Sequence, residues 1–308
     1  MTYALSLERI CKRYGSFDAV RDLDFAVERG AICGFLGPNG AGKTSTIRMI
    51  LGLTAPTSGS MRVLDAPSGQ PVRDRIGFLP EERGLYRRMS PIEAVAFFAG
   101  LKGVPMAEGR RRARALLEQQ GLGEFMRKPM KSLSKGMAQK VQLVSAIAHR
   151  PELVILDEPF SGLDPVNQQG LEQMIRDLAA NGSTVLFSTH VMQHAERLCE
   201  KVVLMARGRK VFEGPVAQAR GAAPRWLELD GKIARAEVEA LPGVATVESG
   251  PLAGAEPEVM AHRISLVSGA DPQATLKAAF LSGLDVRRFE LKEPSLHDAF
   301  IILTGGAA

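Results

Sequence analysis

Disulfide frameworks and membrane-spanning runs are both missing from this sequence. Its 308 residues include only three cysteines, Cys11, Cys33 and Cys199, which lie far apart and form no C-x-x-C pair. They are interpreted as reduced thiols of a cytosolic chain. The longest stretch without Asp, Glu, Lys or Arg covers residues 178–195, but Asn, Ser, Thr, Gln and His interrupt it. No segment approaches the roughly 20 apolar residues that cross a bilayer.

Targeting and guanine-recognition signals are missing as well. The amino terminus carries Glu8, Arg9, Lys12 and Arg13 where a secretory signal would have an apolar core. Any role at a membrane is therefore expected to pass through another chain. No Asn-Lys-x-Asp motif occurs, which argues against a GTP-specific switch protein.

What is present is ordinary globular composition with an uneven positive charge. Hydrophobic residues make up 45% and charged residues 24%, enough for a buried core and about two domains. The net charge is +5. Residues 101–150 are strongly basic and include a cluster of four arginines, Arg110, Arg111, Arg112 and Arg114. This stretch is interpreted as a solvated helix face; anionic lipid headgroups or an acidic partner loop are alternatives. Phe125 is the one Phe, Tyr or Trp in this stretch, so the cations are not interleaved with aromatics and no nucleic acid is expected.

Strand and helix patterns alternate over residues 1–222. Short apolar alternation in residues 1–30 predicts edge strands, and the uncharged run 31–36 predicts a buried strand followed by a helix from Lys43 to about Gly52. Residues 88–150 are predicted to form a helical subdomain, with Pro91 at the first position of a helix. Further strands (153–156, 184–188, 202–205) and helices (107–120, 135–149, 165–180, 191–199) predict a largely parallel sheet covered by helices.

A small second domain is predicted over residues 223–308. Small residues at 221–224 indicate a linker. Beyond them the order is strand (226–229), helix (233–241), strand (244–248), strand (259–267), helix (273–281) and strand (285–291), which is the ferredoxin-like βαββαβ signature. A last helix covers 295–303. No catalytic cluster occurs in this region, so a docking or regulatory domain is expected.

A phosphate-binding loop follows the first buried strand. Residues 37–44, Gly-Pro-Asn-Gly-Ala-Gly-Lys-Thr, fit the pattern G-x-x-x-x-G-K-[ST]. Glycines let the backbone N–H groups converge on phosphate oxygens, and the following helix adds its positive N-terminal end. In this mechanism Lys43 reaches the β- and γ-phosphates of a nucleotide, and the Thr44 hydroxyl binds Mg²⁺.

Two further strands end in polar side chains. The apolar run 153–156 ends in Asp157, a suitable Mg²⁺ ligand, and Glu158, which is placed to polarise an attacking water. His190 follows strand 184–188 and is expected to contact the γ-phosphate. Residues 133–137, Leu-Ser-Lys-Gly-Met, open a helix with Ser134 as N-cap, which is either an anion site or simply a capped helix.

Together these motifs resemble the ATP-binding cassette (ABC) ATPases over residues 1 to about 220. The order agrees: Tyr14, the phosphate loop, Leu79-Pro80-Glu81, LSKGM, the LVILDE strand, Ser161-Gly162-Leu163-Asp164 and Ser188-Thr189-His190. The resemblance implies an α/β P-loop cassette with a mixed sheet, a RecA-like core and a helical subdomain. With it we expect a small α+β ferredoxin-like C-terminal domain.

The resemblance also implies roles for single residues. Tyr14 would stack on adenine, His190 would be the switch histidine, and Asp164 would belong to the D-loop that couples two sites of a dimer. Ser134, Lys135 and Gly136 would contact ATP held by the opposite subunit. Glu81 would join Thr44 and Asp157 at the metal. The expected nucleotide-binding set is Tyr14, Gly37, Pro38, Asn39, Gly40, Ala41, Gly42, Lys43, Thr44 and Ser45.

Two positions depart from the family pattern. Glu81 replaces the usual glutamine and adds negative charge beside the triphosphate, although it can still bind Mg²⁺ or water. Lys135 and Met137 replace residues of the usual Leu-Ser-Gly-Gly-Gln signature. Residues 80–86 and the tail ending Leu303-Thr304-Gly305 are similar to a bacterial exporter subgroup that includes sodium-extruding ATPase subunits.

The leading hypothesis is the ATP-hydrolysing subunit of a bacterial exporter, peripheral on the inner face of the membrane. It would dimerise on Mg-ATP, as a homodimer or heterodimer, and drive a separate permease that selects the substrate. One alternative is a soluble cassette ATPase that acts on ribosomes or DNA. Two family properties argue against this alternative. Ribosome-acting members generally carry two cassettes, and DNA-repair relatives insert a long coiled coil between the phosphate loop and the acidic strand. Another alternative is a weakly hydrolysing regulatory subunit.

Overall fold

The computed structural model of the chain describes residues 3–82, 84, 86–252, 254, 256, 258–267 and 269–305. Its strands are β1 (Tyr3–Tyr14), β2 (Phe17–Glu28), β3 (Ile32–Leu36), β4 (Ser58–Val63), β5 (Ile76–Leu79), β6 (Leu153–Asp157), β7 (Thr184–Thr189), β8 (Lys201–Ala206), β9 (Arg209–Pro215), β10 (Trp226–Lys232), β11 (Val244–Pro251), β12 (Met260–Leu266) and β13 (Asp285–Lys292). Its helices are α1 (Lys43–Ile50), α2 (Pro91–Gly100), α3 (Met106–Gln119), α4 (Lys135–Ile147), α5 (Pro165–Ala180), α6 (Met192–Leu198), α7 (Val216–Arg220), α8 (Arg235–Glu239), α9 (Pro272–Leu281) and α10 (Leu296–Leu303).

A six-stranded mixed sheet forms the centre of the first part of the chain. Its strand order is β5-β6-β7-β3-β8-β9, and only β9 runs antiparallel to its neighbour. Strands β6 and β7 are buried along their whole length, which explains their near-continuous apolar sequences. Because β3, β6 and β7 are parallel neighbours, the segments that follow them leave the sheet at the same edge.

A second, antiparallel sheet shares its core with the first. Its order is β2-β1-β4, and its inward side chains pack with α1 and the central strands in one hydrophobic cluster. The rings of Phe25 on β2 and Phe35 on β3 stack with centroids 5.3 Å apart. This packing fixes β2 close to the loop that joins β3 to α1.

The helical region comprises α2, α3 and α4, which pack against one another through small and branched side chains such as Ala94, Ala113 and Val141. Helix α2 begins in a capping box: Glu93 accepts hydrogen bonds from the backbone N–H and the hydroxyl of Ser90. With Pro91 at the first helical position, this local chemistry sets the start of the helix.

The chain divides into two compact units between Val216 and Ala217. The second unit holds a four-stranded antiparallel sheet of order β11-β12-β10-β13. That order, with α8 after β10 and α9 after β12, is the ferredoxin-like arrangement expected from the βαββαβ pattern. Its own core includes Leu227, Leu229, Val238 and Ile264.

None of the helices in the described ranges combines the length and apolar character that crossing a bilayer requires.

Candidate active site

The candidate side chains converge because three neighbouring strands end together. Leu36, the last residue of β3, pairs with Thr189 on β7, and Asp157, the last residue of β6, pairs with Ser188 on β7. The phosphate loop, Glu158 and His190 therefore follow strands that terminate side by side. Ligands of open α/β sheets bind at this carboxyl edge.

The phosphate loop fits closely against its surroundings. A Cβ on Gly42, at φ +101°, would lie 2.5 Å from the carbonyl oxygen of Ala19, and one on Gly37 would lie 2.3 Å from that of Met205. Helix α1 begins directly after Gly42, so its first backbone N–H groups face the loop. Glycine is therefore required at both positions to bring the backbone this close.

Lys43 is folded into this loop. Its ammonium group donates hydrogen bonds to the carbonyl oxygens of Gly37 (2.7 Å) and Pro38 (3.2 Å). The side chain is only 7% exposed, and Nζ lies 3.7 Å from Glu158 Oε1. Burial lowers the pKa of Lys43, while the carboxylates of Glu158 and Asp157 act in the opposite direction. A buried cation held by carbonyl oxygens is thus available at the centre of the loop.

Asp157 is a buried carboxylate surrounded by hydroxyl groups. Ser188 Oγ donates a hydrogen bond to Asp157 Oδ1. Burial raises the pKa of Asp157, and hydrogen bonds from the Ser188 and Thr44 hydroxyls oppose that rise. The hydrogen bond from Thr44 places its hydroxyl next to the Asp157 carboxylate. The sequence predicts these two side chains as oxygen ligands of a metal ion.

Glu158 is held in a left-handed backbone conformation, with φ +47°. Its backbone N–H donates to the carbonyl oxygen of Ser188 at 3.1 Å, which fixes the turn after β6. Its Oε2 lies 3.0 Å from His190 Nδ1. Its Oε1 is buried and has no hydrogen-bond partner among the described residues. A buried carboxylate oxygen without a hydrogen-bond partner raises the free energy of the folded chain. The arrangement therefore favours the binding of a hydrogen-bond donor at Oε1 of Glu158.

The Ser134–Met137 segment lies against the D-loop, residues 161–164, rather than the phosphate loop. Ser134 Oγ accepts a hydrogen bond from the backbone N–H of Met137 and so caps α4, as predicted. The Lys135 ammonium lies directly against Gly162, and Gly136 packs on the side chain of Asn167. Asn167 in turn donates to both oxygens of Asp164, from its backbone N–H at 3.0 Å and its side chain at 2.6 Å.

No hydrogen bond or ion pair joins Ser134, Lys135 or Gly136 to the phosphate loop of the same chain within the described ranges. Helix α4 contacts the segment that follows Glu158. The side-chain amide of Gln139 on α4 donates a hydrogen bond to the carbonyl oxygen of Pro159 at 3.1 Å. The start of α4 and the segment after Glu158 are therefore one packed substructure.

Tyr14 and Glu81 lie at the ends of β1 and β5. Tyr14 is 44% exposed, and the Lys12 ammonium lies 5.0 Å from the centre of its ring. Glu81 is exposed. Burial lowers the pKa of Lys43, and the negative charge of Glu81 is among the charges that oppose this shift. Arg83 and Leu85, which belong to the segment that is similar to the exporter subgroup, lie outside the described residues.

Sequence reasoning missed a buried network beneath Glu158. The Phe160 ring stacks on His194 of α6, with centroids 4.0 Å apart and planes 14° from parallel. His194 Nδ1 lies 3.2 Å from Glu172 Oε1 on α5, and the Arg197 guanidinium lies 2.7 Å from the same oxygen. Burial lowers the pKa of His194. No local pattern marks these residues, because they are brought together only by the packing of α5 and α6.

Comparison with known proteins identifies the family. Residues 20–161 match the family model described as ABC transporter. The ABC transporter ATP-binding protein YhaQ of Bacillus subtilis strain 168 is 35% identical to this chain over 306 residues, which covers 98% of both proteins. The chain belongs to the ABC transporter ATP-binding proteins. It is therefore an ATPase, and the loop around Lys43 is part of its nucleotide-binding domain.

Two further similarities extend over the ATPase unit. This ABC transporter ATP-binding protein is 39% identical over 217 residues to the Nod factor export ATP-binding protein I of Cupriavidus pinatubonensis, which covers 70% of this chain and 67% of that relative. It is also similar to the structure of cbiO1 from Clostridium perfringens, described as part of the ABC transporter complex cbiONQ. That similarity has a TM-score of 0.64 and 26% identity, and covers 70% of this chain and 89% of cbiO1.

Proposed function

We propose that this chain is the Mg-ATP-hydrolysing subunit of a bacterial ABC exporter. The observation that carries the proposal is the convergence of Lys43, Asp157, Glu158 and His190 at one sheet edge. There a carboxylate oxygen without a hydrogen-bond partner lies 3.7 Å from a buried ammonium. A group that would bind phosphate and a group that would accept a proton from water are thus adjacent.

The chain's own residues suit the separate roles that phosphoryl transfer requires. Lys43 and backbone N–H groups of the phosphate loop would bind the phosphates, and Tyr14 would stack on the adenine. Glu158 would orient water and accept its proton, while His190, which lies 3.0 Å from Oε2 of Glu158, would contact the γ-phosphate.

A magnesium ion fits the oxygen groups at this site. Magnesium usually binds one or two protein oxygens, phosphate oxygens and water, and Thr44, Asp157 and Glu81 offer such a set. The burial that raises the pKa of Asp157 would be offset by a cation. Once bound, the ion would supply charge neutralisation of the phosphates.

A second copy would complete the site. Ser134, Lys135 and Gly136 do not bind their own phosphate loop, and Ser134 and Lys135 are exposed. At a helix start they form a surface that suits the γ-phosphate of ATP held by another subunit. Lys135, in place of the usual glycine, would add a positive charge to that contact. Asp164, fixed by Asn167, would position the D-loop between the two sites.

The partner in transport would be a membrane permease, with this ATPase on the cytoplasmic face of the membrane. Two similarities support this: one relative is named for export, and the solved structure of another is described as part of a transporter complex. The substrate would be selected by the permease.

The test is the Mg²⁺-dependent ATPase rate of the purified protein. We expect Glu158→Gln to retain ATP binding and to lose about 10²- to 10⁴-fold in rate. Lys43→Ala is expected to lose binding, whereas Arg48→Ala, an exposed cation on the same helix, should leave both unchanged. Light scattering should show an ATP-dependent dimer of the Glu158→Gln variant. Equal rates for the wild type and the Lys43→Ala variant would disprove the proposal.

A further inference from the structure

Two segments far apart in sequence lie side by side at one end of the helical region. The backbone N–H of Lys131 donates to the carbonyl oxygen of Arg87 at 3.1 Å, and that of Met130 donates to Met89 at 2.9 Å. A third bond, from Ile92 to Met126, continues the pairing at 3.1 Å. These bonds place residues 87–89 next to residues 126–131.

This pairing concentrates exposed positive charge. The side chains of five residues, here called the basic cluster, are all exposed: Arg87, Arg88, Arg127, Lys128 and Lys131. None of the five forms an ion pair within the described part of the chain. Glu93, the acid beside this pairing on α2, is already engaged by Ser90, and Glu124 lies close by in sequence. The cluster therefore presents five cations whose charge is largely uncompensated.

The arginines that stand out in the sequence are partly neutralised instead. Arg111 and Arg112 both form ion pairs with Glu108 of the same helix. Arg112 also donates to the carbonyl oxygen of Ala148 at 3.1 Å. Two of the four arginines of α3 are thus paired with an acid, whereas none of the five cations of the basic cluster forms an ion pair in the described part of the chain.

The chemistry of the basic cluster favours a spread-out anionic surface. Its cations sit on long flexible stems around two loop segments, and Lys128 rests over the Phe125 ring at 4.4 Å. Tyr86, adjacent to Arg87, is 58% exposed and lies edge-on to Phe97. Clusters of four to eight Lys and Arg side chains bind anionic lipids, and tyrosine is enriched at the headgroup level of membranes.

We propose that the basic cluster binds the anionic headgroups of a lipid bilayer. This inference goes beyond the proposed ATPase function, because the contact needs neither ATP nor a permease. The cations would attract the headgroups as point charges, and Tyr86 would lie at the interface. Such binding weakens with ionic strength, since screening shortens the reach of exposed charges.

Vesicle cosedimentation of the full chain tests the proposal. Vesicles of equimolar phosphatidylglycerol and phosphatidylcholine are compared with vesicles of phosphatidylcholine alone. We expect binding to the anionic vesicles only, and a loss on addition of salt. The triple variant Arg127→Gln, Lys128→Gln, Lys131→Gln should bind about 100-fold more weakly, at about fivefold per cation.

A matched triple variant on α3 controls for net charge. Arg110→Gln, Arg111→Gln, Arg114→Gln removes the same number of exposed cations and should weaken binding far less than the first triple variant. ATPase rate and melting temperature, measured on both variants, should match the wild type, because none of these residues belongs to the nucleotide site. Wild-type protein that hydrolyses ATP but does not bind the anionic vesicles would overturn the lipid proposal alone.

Two other results would also overturn it. Equal losses in both triple variants would assign binding to net charge instead of to the basic cluster. Retention of single-stranded RNA that depends on Arg127, Lys128 and Lys131, without vesicle binding, would reassign the surface to nucleic acid.

Discussion

At the scale of single residues, the phosphate loop uses glycine for two different reasons. Gly40 has φ +80°, and a Cβ there would meet nothing within 4 Å. Gly42 also has a positive φ, but its Cβ would collide with the backbone of Ala19 on β2. The first glycine is needed only for its conformation, whereas the second is also needed for close approach.

This difference predicts unequal effects of alanine. Gly40→Ala should lower the free energy of unfolding by about 1–2 kcal/mol, the cost of a left-handed non-glycine residue. Gly42→Ala adds the displacement of a strand backbone and should cost about 3 kcal/mol or more. Urea unfolding without nucleotide measures both. Equal costs for the two variants would contradict the steric argument.

Glu158, the proposed catalytic carboxylate, shows a comparable restraint. A glutamate at φ +47° is held in a sparsely populated conformation. The backbone bond to Ser188 and the contact with His190 keep the side chain turned towards Lys43. The sequence indicates an acid at a strand end, but the direction of its side chain comes from these contacts.

At the scale of elements, α5 and α6 are joined by a buried charge network. The side chain of Glu172 on α5 is 6% exposed. It pairs with Arg176 of the same helix and with His194 and Arg197 of α6. Through His194, the network also supports the Phe160 ring, two residues after Glu158. The segment between Glu158 and residues 161–164 thus packs on an interhelical ion cluster.

Removal of the central carboxylate should therefore destabilise this part of the fold. We expect Glu172→Ala to lower the free energy of unfolding by about 2–3 kcal/mol, because buried His194 loses its carboxylate partner and keeps only the contact of Nδ1 with Arg197, 3.0 Å away. Gln173→Ala, at an exposed position of the same helix, should stay within about 0.5 kcal/mol of the wild type. A Glu172→Ala variant as stable as the Gln173→Ala control would refute the role of the network.

Several elements were beyond sequence reasoning for a physical reason. Strand β5 has only four residues, and β4 begins Ser-Gly-Ser, so neither gives a periodic apolar pattern. Helix α8 covers Arg235–Glu239, shorter than the predicted 233–241, because local propensity does not fix helix ends. The longer buried strands β6 and β7 were predicted within a residue or two at their ends, since burial on both faces leaves a continuous apolar run.

At the scale of the whole molecule, the proposed nucleotide site lies within the first compact unit. Every proposed site residue precedes Val191, and the second unit has its own core around Leu227 and Ile264. We propose that the two units are domains, as the sequence predicts, and that nucleotide binding needs only the first.

Truncation tests this division. A chain that ends at Gly221 should unfold cooperatively and bind Mg-ATP within about threefold of full-length affinity, a difference below roughly 1 kcal/mol. Isothermal titration and thermal unfolding provide the measurements. A fragment from Ala217 onward should also unfold cooperatively by itself. If the truncated chain is folded yet fails to bind nucleotide, the second unit is part of the site.

The sequence by itself determined the local chemistry: a glycine loop between a strand and a helix, acids at a buried strand end, and the order of motifs that places the chain in its family. These features depend on neighbouring residues, so a linear pattern specifies them. The tertiary structure alone decided which groups meet. The order β6-β7-β3 brings Lys43 within 3.7 Å of Glu158, and loop pairing joins Arg87 to Lys131. Such contacts follow from strand order and packing, which spacing along the chain does not encode.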